Sequence, residues 1–423
     1  MSIPLQELKG LHLIHDHTDA ETLAALPKGT PFYLGVDPTA PSLHLGNLVP
    51  FMLLVRLARA GLRPVVLFGG ATAAIGDPSG RNAERPLLEQ DEIAKNIEKM
   101  EAQVREIAAR CGVGECEFVN NSTWTENLST LTFLRDIGKH LTVNYMLAKD
   151  SVKNRIGGEG ISFTEFSYQV LQAFDFFHLY VTKGVALQIG GADQWGNITG
   201  GLELIRKKVL GGHAHAISVP LLVDAEGKKF GKSTGGGSLW LDRAMASPFK
   251  IHQYLINTRD EDALRYLPTF CIWPTDVITN TIERHKAAPQ DRIAQHALAD
   301  EVVRIIHGDE AVSEARRCAS VLFGESFDGI SDDMLREIFA DVPSQIIPRE
   351  EAAALSIVDL LVKAGVTPSK GEARRLIQGG GAYLQNNRID DPAAQLSQRE
   401  LDRSFIVLRS GKKRYYLVEL ASS

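Results

Sequence analysis

Between Pro31 and Phe68 the rhythm of apolar positions changes three times. Residues 31–36 (PFYLGV) form a short apolar run, the pattern of a buried strand. Residues 45–60 then place Leu48, Phe51, Met52 and Val55 on one face at helical spacing and close on Gly61. A second short apolar run at 65–68 completes strand, helix, strand, which predicts a βαβ unit and a parallel sheet of the nucleotide-binding kind. Further strands are expected at 116–119, 185–189 and 218–223, with helical patterns between them. This α/β, Rossmann-like domain is expected to span 1–246.

Ser247-Pro248 reads as a helix start, with a hydroxyl to cap free amides and a ring tolerated in the first turn. From there to residue 340 the pattern predicts a mainly helical domain. Residues 341–350, with Pro343 and Pro348, read as an extended linker. Residues 351–423 read as a small α+β domain that ends in alternating strand character over 405–420.

Across 163–177 (FTEFSYQVLQAFDFF), Phe163, Phe166, Val170, Phe174 and Phe177 share one helical face, read as the core side. Tyr168, Gln172 and Asp175 share the opposite face. A phenol, an amide and a carboxylate without any Lys or Arg suit the lining of a small polar ligand's pocket better than a solvated stripe.

Composition is ordinary for a folded chain: 44% hydrophobic and 23% charged over 423 residues. That length predicts two or three domains. No basic leader precedes an apolar stretch, and no apolar run reaches the roughly 18 residues of a membrane span, so a cytoplasmic protein without membrane contact is expected. Cys111, Cys116, Cys271 and Cys318 lack the spacing of a disulfide framework or a zinc site, and no protein-bound metal is predicted. The net charge of −6 is unevenly spread. From Gln345 onward 12 Lys plus Arg face 9 Asp plus Glu, against 34 and 43 in the rest, so a modestly basic tail ends an acidic body. Such a tail suits a local RNA contact.

Three segments carry candidate chemistry. Gly35, Asp37 and Thr39 lead into His44-Leu45-Gly46-Asn47 at a helix start, where unpaired amides favour phosphate. Gly46 leaves room for a nucleotide, and His44 can donate to a phosphate oxygen. Lys229-Phe230-Gly231-Lys232-Ser233 follows a strand in a glycine-rich, basic loop. It is not a Walker loop: only three residues separate Gly227 from Gly231, where that motif needs four. Gly190-Gly191-Ala192-Asp193-Gln194 and Gly76-Asp77-Pro78-Ser79-Gly80-Arg81 fall after strands, at the edge where open α/β sheets bind ligands.

The pairing of His44-Leu45-Gly46-Asn47 with Lys229-Phe230-Gly231-Lys232-Ser233 resembles the His-Ile-Gly-His and Lys-Met-Ser-Lys-Ser signatures of class I aminoacyl-tRNA synthetases. Asp37-Pro38-Thr39, Gly76 to Ser79, Phe163 to Asp175 and Gly190 to Asn197 look like the bacterial tyrosyl members, and the likeness covers essentially the whole chain. The resemblance implies an enzyme that activates L-tyrosine with ATP, releases pyrophosphate and transfers the tyrosyl group to the terminal ribose of tRNA(Tyr). It implies that Tyr33 and Asp175 bracket the phenol, that Asp77, Tyr168 and Gln172 hold the amino group, and that Gln194 lies near the carboxylate and the ribose. It further implies that Gly35, Asp37, Thr39, His44, Gly46, Asn47, Gly191, Asp193, Gln194 and Lys232 meet ATP, while Arg81, Arg85, Lys229, Lys232 and Ser233 steady the phosphates.

Three positions depart from the family pattern: Asn47 for the second His, Arg81 for Lys, and Phe230-Gly231 for Met-Ser. Mg²⁺ is expected to arrive on the nucleotide. A homodimer, with 131–149 near its interface, is implied as well. Residues 368–392 resemble a small ribosomal RNA-binding fold, with a capping box at Ser369 and Glu372 and with Lys370, Arg374 and Arg375 as tRNA contacts. A tryptophanyl relative would share the phosphate apparatus, and a silent RNA-binding protein could be built on the same scaffold.

Overall fold

A computed structural model of the chain describes residues 3–79, 88–156, 160–223, 230–231, 238–327, 330–340, 342–411 and 414–421. Two compact units divide the chain, at residues 1–309 and 310–423.

The first unit is built on a six-stranded sheet: β1 (Asp16–His17), β2 (Pro31–Val36), β3 (Arg63–Phe68), β4 (Glu117–Asn120), β5 (Leu187–Gly191) and β6 (His215–Val219). Their order across the sheet is β1-β6-β5-β2-β3-β4, parallel except for β1. From β2 the chain winds outward to β3 and β4 and then returns to the other side for β5 and β6. The carboxyl ends of β2 and β5 therefore flank a topological switch point, where such sheets open a crevice. The strand expected at 218–223 sits at 215–219 instead, because the apolar run at 216–219 pairs with β5 before Pro220 interrupts it.

Helix α1 (Leu45–Arg59) begins with a reciprocal capping box: the Asn47 amide N–H donates to His44 Nδ1 at 3.2 Å, and the His44 N–H donates to Asn47 Oδ1 at 3.0 Å. Its apolar stripe is buried, as expected. Helix α2 (Gln90–Arg110) packs in the same unit, and helix α3 (Phe163–Lys183) starts at a Ser162 cap and stops at Gly184 in the left-handed conformation. Phe176 and Leu179 of α3 are buried with Tyr33, Val65 and Leu67 of the sheet. Helix α4 (Trp195–Lys208) packs along α3. The helices Pro248–Ile256, Asp260–Phe270 and Ile293–His307 pack on one another within this unit, so no compact division falls at 246.

The second unit holds a five-stranded sheet in the order β7-β11-β10-β8-β9. Its strands are β7 (Ser344–Pro348), β8 (Ala382–Leu384), β9 (Asn387–Arg388), β10 (Phe405–Ser410) and β11 (Arg414–Ala421). The expected linker at 341–350 is thus corrected: residues 344–348 pair in parallel with 417–421, and a helix starts at Arg349. The prolines do keep this segment extended, but Pro348 sits at the strand's last residue, where it leaves the edge pairing intact. The helix Asp309–Val321 belongs with this sheet, since Asn386 Nδ2 donates to the carbonyls of Val321 and Glu325 and Tyr415 Oη donates to those of Val321 and Leu322. These donors satisfy carbonyls that a helix end leaves open.

Two smaller expectations also change. Phe163, assigned to the core side of α3, is 77% exposed because it opens the helix ahead of the first turn that reaches the core. The box at Ser369 is half formed: Ser369 Oγ accepts from the Glu372 N–H, without a return bond from the Glu372 side chain. Lys370, Arg374 and Arg375 are exposed on the helix Lys370–Gln378, with Lys370 2.6 Å from Asp359.

Candidate active site

The switch point opens into a cavity of about 730 Å³. Its lining joins segments at the carboxyl ends of β2, β3 and β5: Gly35 and Asp37 at the end of β2, Thr72, Asp77 and Ser79 after β3, and Gly191, Asp193 and Gln194 at the end of β5. Helix α1 adds His44, Gly46 and Asn47 on one side, and α3 adds Tyr168, Gln172 and Asp175 on the other. Thr39 and Tyr33 line it as well. One cavity therefore unites both faces of the expected chemistry. Arg81, Arg85, Lys229, Lys232 and Ser233 lie outside the described residues.

At the deep end Asp175 is 2% exposed, and both of its oxygens accept a hydrogen bond: Oδ2 from Asn121 Nδ2 and Oδ1 from Trp124 Nε1, each at 2.9 Å. Burial raises its pKa to about 7 and outweighs the lowering from these two donors, while the nearby Asp37 charge adds to the rise. Tyr33 packs on Phe176 with ring centroids 5.4 Å apart, and its Oη is buried without a hydrogen-bond partner among the described residues. Burial and the Asp175 charge push its phenol well above the ordinary tyrosine value, so it remains a donor at neutral pH. A neutral donor beside a polarisable carboxyl is a pair that a phenol completes, since a phenol can accept from one and donate to the other.

Above this pair the polar groups form a connected network. Asp37 accepts from Tyr168 Oη and from Thr72 Oγ1, each at 2.7 Å. Thr72 in turn accepts from Asn121 Nδ2 at 3.1 Å, which links Asp37 to Asp175 through one threonine and one asparagine. Asp77 accepts from Gln194 Nε2 at 2.7 Å and from the Ser79 N–H at 2.9 Å, and Asn197 Nδ2 reaches Gln194 Oε1 and Ser79 Oγ at 3.3 Å. Tyr168 is thus tied to Asp37, while Asp77 belongs to a separate cluster with Gln194. Both clusters open on the same space.

The lining contains Asp37, Asp77, Asp175 and Asp193 and, among the described residues, no Lys or Arg. Such a lining attracts an ammonium group and ribose hydroxyls but would repel a triphosphate. No three or more His, Cys, Asp or Glu side chains among the described residues are grouped to hold a metal ion.

The helix start explains two departures from the family pattern. Asn47 uses its carbonyl to complete the capping box, leaving its amide as a donor toward the cavity. Because His44 Nδ1 accepts the Asn47 N–H, the neutral ring carries its proton on Nε2, the form that can donate to phosphate. Phe230 is buried against Tyr254, Tyr266 and Phe270. Gly231 has φ +80°, and its N–H donates to Tyr254 Oη at 3.1 Å. A Cβ at 231 would stand 3.0 Å from Leu45 Cβ and 3.2 Å from the Gly46 nitrogen. Phe-Gly therefore anchors this point of the basic loop directly against the helix start.

Several lining or supporting residues carried no sequence signal of their own. Thr72, Asn121 and Trp124 lie in short segments without a motif, while Asn197 closes the Gly190-to-Asn197 segment but has no role of its own assigned. The one available clue was position, since Thr72, Asn121 and Trp124 follow β3 and β4 at the carboxyl edge.

Residues 28–324 match the family model of class I tRNA synthetases for tryptophan and tyrosine, and residues 334–418 match the C-terminal domain model of tyrosine–tRNA ligases. The tyrosine–tRNA ligase of Roseiflexus castenholzii is 43% identical over 99% of this chain and 100% of its own length. That of Bacillus caldotenax is also 43% identical, over 99% of both chains. Among solved structures, a C-terminally truncated mitochondrial tyrosyl-tRNA synthetase of Aspergillus nidulans is 32% identical with a TM-score of 0.67, covering 76% of this chain and 94% of that one.

Proposed function

The chain belongs to the tyrosine branch of the class I tRNA synthetases and is a tyrosine–tRNA ligase, and from that premise we propose which of its groups do the work. It activates tyrosine with ATP: the tyrosine carboxylate oxygen bonds to the α-phosphorus, the bond to the β-phosphate bridging oxygen breaks, and pyrophosphate leaves. A ribose hydroxyl of tRNA(Tyr) then displaces AMP from the tyrosyl carbonyl.

The phenol is held between Tyr33 Oη and Asp175. Asp77, Tyr168 and Gln172 surround the ammonium, Tyr168 being oriented by Asp37. Gln194, held by Asp77, faces the carboxylate and the ribose, and Gly35, Thr39, Gly191 and Asp193 complete the nucleotide's bed. His44 Nε2, the Asn47 amide and the free N–H groups around Gly46 meet the phosphates, with Arg81, Arg85, Lys229, Lys232 and Ser233 neutralising the leaving pyrophosphate. No side chain acts as a nucleophile. The rate gain comes from positioning and from donors whose hold strengthens as charge moves onto pyrophosphate. Mg²⁺ enters as part of the nucleotide substrate, in keeping with a lining whose carboxylates are occupied by hydrogen-bond donors.

We assign tRNA contacts to the helices of 247–340 and to the small domain of 351–423, with Lys370, Arg374 and Arg375 presenting charge to the backbone. The observation that carries the whole reading is that Tyr33 and Asp175 line the same cavity as His44 and Gly46. Amino-acid-dependent exchange of labelled pyrophosphate into ATP tests it. Tyrosine should support exchange where tryptophan and phenylalanine do not; equal exchange with tryptophan, or none with tyrosine, would overturn it.

A cytoplasmic homodimer is the working form we propose. Leu131, Leu134, Val143, Ile156 and Phe163 expose large apolar side chains within 131–163, with Leu131 80% exposed. Large apolar side chains left exposed within one stretch of chain are what an association surface would cover. Leu131→Asp combined with Phe163→Asp should convert the dimer to monomer in sedimentation velocity. A wild-type chain that sediments only as monomer would contradict the assignment.

A further inference from the structure

The place of His44 is set partly by groups that never reach the cavity. Residues 239–241 run antiparallel beside 43–45 as a short ribbon, with His44 opposite Trp240. The Leu45 N–H donates to the Leu239 carbonyl at 2.9 Å, and the Leu241 N–H donates to the Leu43 carbonyl at 2.8 Å. The Leu239 N–H in turn donates to the Gly231 carbonyl at 2.8 Å, so the same ribbon ties the second signature to the first. Two backbone bonds make a weak clamp, since a two-stranded ribbon is marginal in water on its own.

Side chains close the outer end of the ribbon. Ser42, 1% exposed, accepts the Asp242 N–H on its Oγ at 3.0 Å, from a residue 200 positions away, and donates to the Leu43 carbonyl at 2.7 Å. Gln103 of α2 completes both residues: its Nε2 donates to Ser42 Oγ at 3.0 Å, and its Oε1 accepts the Leu43 N–H at 3.0 Å. Because the Leu43 N–H can only donate, it fixes which way the carboxamide faces. Asn96, two turns earlier on the same face of α2, donates from Nδ2 to the Pro38 carbonyl at 3.0 Å. One helix face thus grips both ends of the connection from Pro38 to Leu43, and its second grip falls on the residue directly before His44. Gln103 does not line the cavity, and the roles given above leave it without a task.

We propose that Gln103 is a positioning residue for tyrosine activation. By holding Ser42 and Leu43 at once, it fixes the register of the ribbon and with it the place of the His44 ring between the two signatures. Without the carboxamide the Leu43 N–H loses its acceptor, the Ser42 tie to Asp242 loses its support, and the ring shifts from its place at the phosphates. The inference rests on the reading that His44 meets those phosphates.

The test measures the rate constant of adenylate formation in a single turnover at saturating ATP for the wild type, Gln103→Leu, His44→Ala and the double variant. Each rate is divided by the concentration of active sites, taken from the burst of bound tyrosyl-adenylate, so that an unfolded fraction does not count. Gln103→Leu should slow adenylate formation about tenfold, with the dissociation constant for tyrosine in equilibrium dialysis changed less than about twofold. In the His44→Ala background the same substitution should slow it less than about threefold, because a residue that acts through the ring has little left to lose. A wild-type rate per site in Gln103→Leu overturns the proposal, as does an equal loss with and without His44, which would place its action elsewhere. Ser42→Ala breaks the same tie from the other side and enters the same cycle if Gln103→Leu does not fold. His44→Ala alone separates the two levels: if it forms adenylate at the wild-type rate, the phosphate role of His44 has failed, and the positioning role of Gln103 with it.

Discussion

Replacing Asp175 by alanine should lower the preference for tyrosine over phenylalanine by roughly thirty- to 150-fold while leaving the KM for ATP unchanged. In the function proposed above the carboxyl group is the charged partner of the substrate hydroxyl, and a hydrogen bond to a charged group contributes on the order of 2–3 kcal/mol when its loss leaves buried donors unmatched. Here the stranded donors are Asn121 Nδ2 and Trp124 Nε1 as well as the phenol itself. Phenylalanine loses nothing comparable, because it brings no hydroxyl to the site. Competing pyrophosphate exchange with both amino acids gives the ratio directly, and an unaltered ratio would remove Asp175 from the phenol site.

The same carboxyl group predicts a pH dependence. Burial raises its pKa to about 7 in the empty enzyme. A phenol donates to the ionised form, so tyrosine binding favours loss of the proton. As pH falls through 7 the group protonates, the acceptor is lost, and kcat/KM for tyrosine should fall toward a tenfold decline per unit below it. The profile for phenylalanine should lack this limb, and in Asp175→Ala the limb should vanish for tyrosine as well.

The second large effect is expected at the helix start. Gly46→Val should raise the KM for ATP by about tenfold or more and slow adenylate formation, with tyrosine affinity in the absence of ATP changed less than about twofold. A Cβ at this position would stand 3.0 Å from His44 Cε1 and 3.1 Å from Nδ1, so the ring must give way. The displaced ring is both the helix cap and the proposed phosphate donor. The added side chain also fills the space through which a nucleotide approaches the free amides. Equilibrium dialysis for tyrosine and initial-rate kinetics for ATP separate the two halves of the cavity. An undisturbed ATP response would show that phosphate binds elsewhere.

Local pattern made much of this site legible. The buried strand at 31–36, the capped helix from Leu45 and the polar stripe of Tyr168, Gln172 and Asp175 each follow from spacing within a few turns of chain, and each lies where the pattern implied. Contacts between distant segments left no such trace. The tie from Asp175 through Asn121 to Thr72 joins three elements whose closeness is created only by the order of β2, β3 and β4 in the sheet. Likewise, residues 344–348 carry the dihedral preference of any proline-flanked extended segment. Only their partner strand, some seventy residues later, decides that they are sheet and not linker. Phe163 shows the complementary failure, since periodicity fixes a helix face but not where along that face the core begins.

Phe230 is set among three aromatic rings, and Gly231 lies against Leu45 and Gly46 at the helix start. The family's Met-Ser pair could not adopt the same backbone at 231 without strain, because serine carries the Cβ that this position excludes.

A crystal structure with a non-hydrolysable tyrosyl-adenylate analogue tests the central claim most directly. The phenol oxygen should lie within about 3 Å of both Tyr33 Oη and an Asp175 oxygen, with the analogue's phosphate position facing His44 and Gly46. An analogue whose ring lies outside the pocket of Tyr33 and Asp175, or whose phosphate end points away from the start of α1, would contradict it.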